Sequence, residues 1–125
     1  YRAFPDAQMT ALEGLAGAIL KRHPIPARNV VGHADVAPNR KQDPGELFDW
    51  RRLAHLGIGL WTDDVEPAHA TPEEAAVLLA SFGYDASDLP AALSAFQRHF
   101  RPALVNGEAD PDTVGVLRGL LDVLK

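Results

Sequence analysis

The chain has 125 residues, room for one domain or two very small ones at about 150 residues per domain. Its 46% hydrophobic and 23% charged content is an ordinary globular mixture, and its net charge of −5 disfavours general nucleic-acid binding, because an acidic surface repels phosphate. Cysteine is absent, which excludes disulfide scaffolds, thiolate metal sites and cysteine nucleophiles, and no apolar run reaches the roughly 18–20 residues of a membrane span.

The chain begins at Tyr1 with neither Met nor a basic-then-apolar leader, so any targeting segment is expected to have been removed or to lie upstream. Residues 5–22 read as a helix. Met9, Leu12, Ala16, Ile19 and Leu20 recur at helical spacing, Pro5 and Asp6 suit a first turn, and Lys21 and Arg22 suit a last one. Gly14 and Gly17 each weaken that helix by ~1 kcal/mol relative to Ala, which points to a close approach by another element. Pro24 and Pro26 stop it. Asn29-Val30-Val31-Gly32-His33, short and β-branched, is the strand candidate of this half. Residues 34–45 follow as a long polar loop, the kind of segment on which catalytic groups concentrate. Phe48 to Leu56 fits a short helix closed by Gly57, and Gly59-Leu60-Trp61 reads as a returning strand.

A polar joint at residues 63–70 separates this half from three helix signatures. Thr71-Pro72-Glu73-Glu74 is a capping box with proline at the first helical position, leading to Ala75, Leu78, Leu79 and Phe82 and stopped by Gly83. Asp88-Leu89-Pro90 opens a second helix with Leu89, Leu93, Phe96 and Phe100 in one stripe, ended by Pro102. Asn106-Gly107 is a turn, and Asp110-Pro111 starts a third helix with Val114, Leu117, Leu120, Leu121 and Leu124 inward. Each half is near 60 residues, a size that buries only about 60% of its unfolded surface and is marginal alone.

The chemistry concentrates in Gly32-His33-Ala34-Asp35-Val36-Ala37-Pro38-Asn39-Arg40-Lys41-Gln42-Asp43-Pro44-Gly45. Histidine and aspartate are competent zinc ligands, and a lysine nearby can offset negative charge developing on a carbonyl oxygen. Spacing alone leaves the bland alternative open, a solvated histidine and an unrelated aspartate. His23, His55, His69 and His99 have no comparable setting and read as surface or core residues.

This run resembles the C-terminal signature of the zinc-dependent N-acetylmuramoyl-L-alanine amidases, the fold shared with phage lysozyme-type amidases and peptidoglycan recognition proteins. Tyr1 with Phe4-Pro5-Asp6-Ala7-Gln8, and Phe48, Trp50, Leu53 and Gly57-Ile58-Gly59, resemble the flanks of that signature, so that the likeness covers about residues 1–62. It implies His33 and Asp43 as zinc ligands and Lys41 as the catalytic group that polarises the scissile amide carbonyl. The implied reaction is attack by zinc-bound water on the bond between N-acetylmuramic acid and L-alanine. That family takes a further histidine ligand and a glutamate base from earlier strands, for which nothing upstream of His33 is suited. The chain is therefore expected to be the C-terminal section of a longer, truncated or processed amidase, inactive alone and lacking the N-terminal part as its partner. Phe82-Gly83-Tyr84-Asp85, the run Ala95-Phe96-Gln97-Arg98-His99-Phe100-Arg101-Pro102, and Gly107, Asp110 and Thr113 resemble a three-helix peptidoglycan-binding module. In that module Phe96 and Phe100 read as core. Tyr84, Arg98 and Arg101 are open between lining a groove and simple exposure, and none is assigned a binding role.

The expected fold is therefore α/β, the C-terminal part of a mixed-sheet amidase fold flanked by helices over residues 1–66, with a small all-α three-helix bundle over residues 67–125. The expected partners are peptidoglycan or muropeptides, with no nucleic acid and no transmembrane segment, and the expected location is the periplasm or cell envelope, with a lipid anchor upstream as an option. The competing reading is a non-catalytic peptidoglycan-binding or recognition protein.

Overall fold

A computed structural model describes residues 2–63 and 65–124; Tyr1, quoted above with residues 4–8 for the flank of the signature, lies outside them. Among the described residues the regular elements are all helical: α1 (Asp6–Arg22), α2 (His33–Val36), α3 (Trp50–Ala54), α4 (Pro72–Phe82), α5 (Leu89–Phe100) and α6 (Pro111–Val123), with one 3₁₀ turn at Ala27–Asn29. The α/β expectation is overturned. Asn29 closes the 3₁₀ turn, and Val30, although extended, has its N–H bonded back to the Ala27 carbonyl at 3.1 Å. Gly59 lies close to the Val30 carbonyl, but no ladder joins the two segments. A strand exists only through pairing along a partner, and neither segment has one among the described residues. His33 accordingly stands at the first position of α2 and not at the end of a strand.

The helix-start and helix-stop signals of the C-terminal half operate, with the Thr71 side of the expected capping box made. Thr71 accepts the Glu74 N–H at 3.1 Å, Asp88 that of Ala91 at 3.3 Å and Asp110 that of Thr113 at 2.9 Å, each satisfying an orphan donor at a helix start. Proline follows within each first turn, and Gly83 ends α4 at φ +115°, a conformation that only glycine adopts without strain. The three helices enclose Leu79, Leu93, Phe96, Val116, Leu117 and Leu120. Gln97 is fully buried among them. Its Oε1 accepts the Asn106 and Gly107 N–H groups at 2.9 Å each, and its Nε2 lies 3.0 Å from Thr113 Oγ1 and 2.9 Å from the Glu108 carbonyl, so this amide ties the α5–α6 turn to both helices.

A second cluster, Met9, Trp50, Leu53 and Ile58, holds α1 against α3, with Leu12, Ala16 and Leu20 at its edge. Arg52 fastens the same pair of helices through Asp6 at 2.7 Å, Glu13, and Thr10 at 3.0 Å. The opposite face of α1 is open. Ile19, expected inward, is 44% exposed, Leu15 is 63% exposed, and nothing lies within 4 Å of a Cβ built on Gly14 or Gly17, so the expected close approach is not made by the described residues.

The two halves pack together. Ala34 of α2 belongs to the core of the three-helix bundle, with Leu60 and Trp61 against it. The joint itself is clamped: Ala68 donates to the Pro111 carbonyl at 3.1 Å, and the Glu66 carbonyl lies so near Gly115 that a Cβ there would sit 2.4 Å away. Two marginal halves thus share buried surface.

Candidate functional site

The site is built on a loop that closes on itself. The Ala37 carbonyl accepts the Arg40 and Lys41 N–H groups at 3.0 and 2.9 Å, and the Asp43 carbonyl accepts the Ala34 N–H at 2.9 Å, which returns Asp43 to the start of α2. Gly32 is the close-approach position: a Cβ on it would meet Pro44 Cδ at 2.6 Å and the Trp50 ring at 3.3 Å. The result brings His33 Nδ1 to 3.4 Å from Asp43 Oδ2, with the two side chains 52% and 66% exposed. So open a pair contributes little to stability. Two donors held at about 2.0–2.2 Å by one tetrahedral ion lie about 3.3–3.5 Å apart, so the spacing suits a shared zinc. The donor set is nevertheless short of a catalytic zinc site, which usually takes three protein ligands: no group of three metal-ligating side chains occurs among the described residues. Lys41 lies in the same loop and is exposed, and no hydrogen bond or ion pair joins its side chain to His33 or Asp43.

Behind this pair sits a buried polar node that sequence reasoning missed. Asp35, in the third position of α2, accepts the Gly32 N–H at 2.8 Å and so holds the turn on which His33 is mounted. Its carboxylate also accepts the Tyr84 hydroxyl and lies 2.7 Å from His99 Nδ1. Tyr84 and His99 come from the helical half. The carboxylate can only accept, so the Nδ1 nitrogen carries the imidazole proton. The His99 ring is sandwiched between Trp50, at 3.9 Å between centroids, and Phe100, at 3.7 Å. Its Nε2 finds no hydrogen-bond partner among the described residues. Burial lowers the His99 pKa below the ordinary 6.5 despite the pull of Asp35. Burial, and next the Asp35 charge, push the Tyr84 phenol well above 10. Asp35 and His99 both stand inside quoted runs, but their partnership spans 64 residues and that with Tyr84 spans 49, and no periodicity reports such a distance.

The bundle also reaches the open side of the loop. Arg98 of α5 and Gln42 both border the recess beside Asp43 and the neighbouring groove over Lys41, Ser94 and Asn106. Arg101 is not a free cation, since Asp110 and Thr113 hold it.

Known proteins are similar to this chain over part or nearly all of its length. The family described as N-acetylmuramoyl-L-alanine amidase matches residues 1–46. The amidase AmiD of Escherichia coli is 43% identical over 138 aligned residues, covering 98% of this chain and 50% of AmiD. The 1,6-anhydro-N-acetylmuramyl-L-alanine amidase AmpD of the same organism is 46% identical over 54 residues, 43% of this chain and 30% of AmpD. Among solved structures, AmiD in complex with its substrate anhydro-N-acetylmuramic acid-L-Ala-D-γ-Glu-L-Lys superposes with a TM-score of 0.89 at 41% identity, covering 97% of this chain and 53% of that one. AMPDH3 of Pseudomonas aeruginosa superposes with a TM-score of 0.81 at 35% identity, covering 98% and 55%. This chain spans about half the length of AmiD, and it matches the AmiD and AmpD type of N-acetylmuramoyl-L-alanine amidases.

Proposed function

We propose that these 125 residues bind peptidoglycan or muropeptides derived from it without hydrolysing them unaided. The observation that carries this reading is the His33–Asp43 pair, spaced for one cation yet joined by no third donor among the described residues, in a chain similar to amidases of that substrate. The test is co-sedimentation with purified peptidoglycan sacculi, with mass spectrometry of the supernatant for released stem peptides. The expected result is a pelleted chain and no released peptide. A chain that stays in solution refutes the binding, and peptides with a free L-alanine amino group refute the lack of hydrolysis.

The 3.4 Å spacing favours a second reading for a longer protein that contains this section. There His33 and Asp43 hold zinc together with a donor from residues outside these 125, and residues 1–66 form part of the amidase domain while residues 67–125 form its peptidoglycan-binding module. Zinc, when bound, supplies an activated water near neutral pH for cleavage between N-acetylmuramic acid and L-alanine. Lys41 offsets the negative charge that develops on the carbonyl oxygen, and the bundle raises the local concentration of polymer. The open face of α1, with Leu15 and Ile19, supports a neighbouring layer in that protein. The site of action would be the periplasm or cell envelope. Zinc titration by calorimetry checks the ligands: binding by the 125-residue chain should be weak and vanish in His33→Ala. In the longer protein, His33→Ala should abolish peptide release, and undiminished release would sink the zinc assignment.

A further inference from the structure

Arg98 is, among the described residues, the half-buried arginine left without a counter-charge. Among the described residues the other half-buried arginines are clamped, Arg52 by Asp6 and Glu13 and Arg101 by Asp110, whereas no carboxylate lies within ion-pair distance of Arg98. A guanidinium partly withdrawn from water and left unpaired is costly, and a planar fork is suited to grip a carboxylate with two parallel hydrogen bonds.

Its position says what would supply that carboxylate. Arg98 borders two adjoining recesses, and Gln42 is the loop residue common to both. The first holds Asp43 and Glu46, next to the His33 pair. The second, about 440 Å³, runs between the loop and the α5–α6 turn, past Lys41, Ser94 and Asn106. Its charged lining is Arg40, Lys41 and Arg98 against Asp88, which already caps α5 through the Ala91 N–H. The acidic first recess suits a cation, and the basic groove beyond it suits an anion on the same ligand. A stem peptide of the kind named in the AmiD complex has that pattern. Its glutamate is linked through the γ-carboxyl, which leaves the α-carboxylate free one residue past the L-alanine, and its terminal lysine carries another.

We propose that Arg98, in the groove that Lys41 also lines, binds a free carboxylate of the stem peptide, so that the helical half reads the peptide as well as the polymer. This rests on the muropeptide reading above and names the part of the ligand that the groove takes.

The probes are the tripeptide L-Ala-D-γ-Glu-L-Lys, its form amidated at the glutamate α-carboxylate, and its form amidated at the lysine terminus, each titrated into the ¹⁵N-labelled 125-residue chain. The parent tripeptide should shift the amides of Ser94, Asn106 and Gly107, and one of the two amidated forms should bind about tenfold more weakly, identifying which carboxylate is held. Arg98→Gln should weaken the parent tripeptide by a similar factor of about ten while leaving that amidated form unaffected, and Arg98→Lys should recover part of the loss because charge returns without the fork. An unchanged circular-dichroism spectrum and melting temperature of Arg98→Gln keep a folding defect out of the comparison. If Arg98→Gln binds the parent tripeptide as tightly as the unaltered chain, or if neither amidation matters, the assignment of Arg98 is overturned while peptidoglycan binding stands. If no tripeptide binds and sacculi do not pellet the chain either, both fall.

Discussion

Replacing Asp35 by alanine should be among the most damaging single changes in this chain. It removes one carboxylate and orphans three donors: the Gly32 N–H, the Tyr84 hydroxyl and the His99 Nδ1–H. A buried donor left unsatisfied costs about 1–3 kcal/mol, so three set an upper range of about 3–9 kcal/mol. The true figure lies towards the lower end, about 3–5 kcal/mol, because Gly32 is only partly buried and Asp35 and Tyr84 border a recess of about 330 Å³ that water can enter. Against the 5–15 kcal/mol that holds an ordinary domain together, such a loss is a large share. Urea unfolding followed by tryptophan fluorescence is the assay, because Trp50 stacks on His99 and Trp61 packs near Phe100, both at the junction of the halves. Tyr84→Phe removes one charge-assisted bond and should cost about 1.5–3 kcal/mol, and the double variant should show less than the sum of the two. A loss below about 1 kcal/mol for Asp35→Ala, or strict additivity with Tyr84→Phe, would refute the view that this node joins the two halves.

Three further outcomes can be checked on the same material. His99 holds its proton less readily when folded, so the unfolded chain gains protons first as the pH falls; stability should be full above the unfolded value of 6.5 and decline below it, and His99→Gln should flatten that acid limb in a melting-temperature series. Gly32→Ala drives a methyl into Pro44 and Trp50; it should cost about 1–3 kcal/mol in urea unfolding and weaken zinc binding by the His33–Asp43 pair, with unchanged zinc affinity counting against the loop geometry. Gln97→Ala strips two backbone N–H groups of the α5–α6 turn of their acceptor; a loss of about 2–4 kcal/mol is expected, and hydrogen exchange at Asn106 and Gly107 should quicken, which a merely space-filling glutamine would not produce.

What could be read along the chain was whatever depends on near neighbours. A Thr or Asp cap reaches three residues ahead, and a proline in the first turn acts on its own backbone, so the three C-terminal helices follow from contacts that any short stretch carries within itself. The proximity of His33 and Asp43 is nearly as local, since one backbone bond from Ala34 to Asp43 folds the intervening loop back. The expected strands failed for the converse reason. Val30-Val31 and Gly59-Leu60-Trp61 have β-prone composition, but a ladder is a property of two segments, and the described residues offer neither one a partner.

Tertiary structure alone decided how the halves meet. Nothing near Asp35 in sequence announces that its carboxylate accepts from Tyr84 and His99, or that Trp50 lies flat on an imidazole of another helix. Arg98 likewise is any helix-borne arginine until α5 docks against the Gln42 loop and leaves it without a counter-ion among the described residues. Caps, turns and a compact loop are short-range and survive in any context, whereas buried charge acquires its partners, its altered acidity and its influence on the site only when distant segments exclude water together.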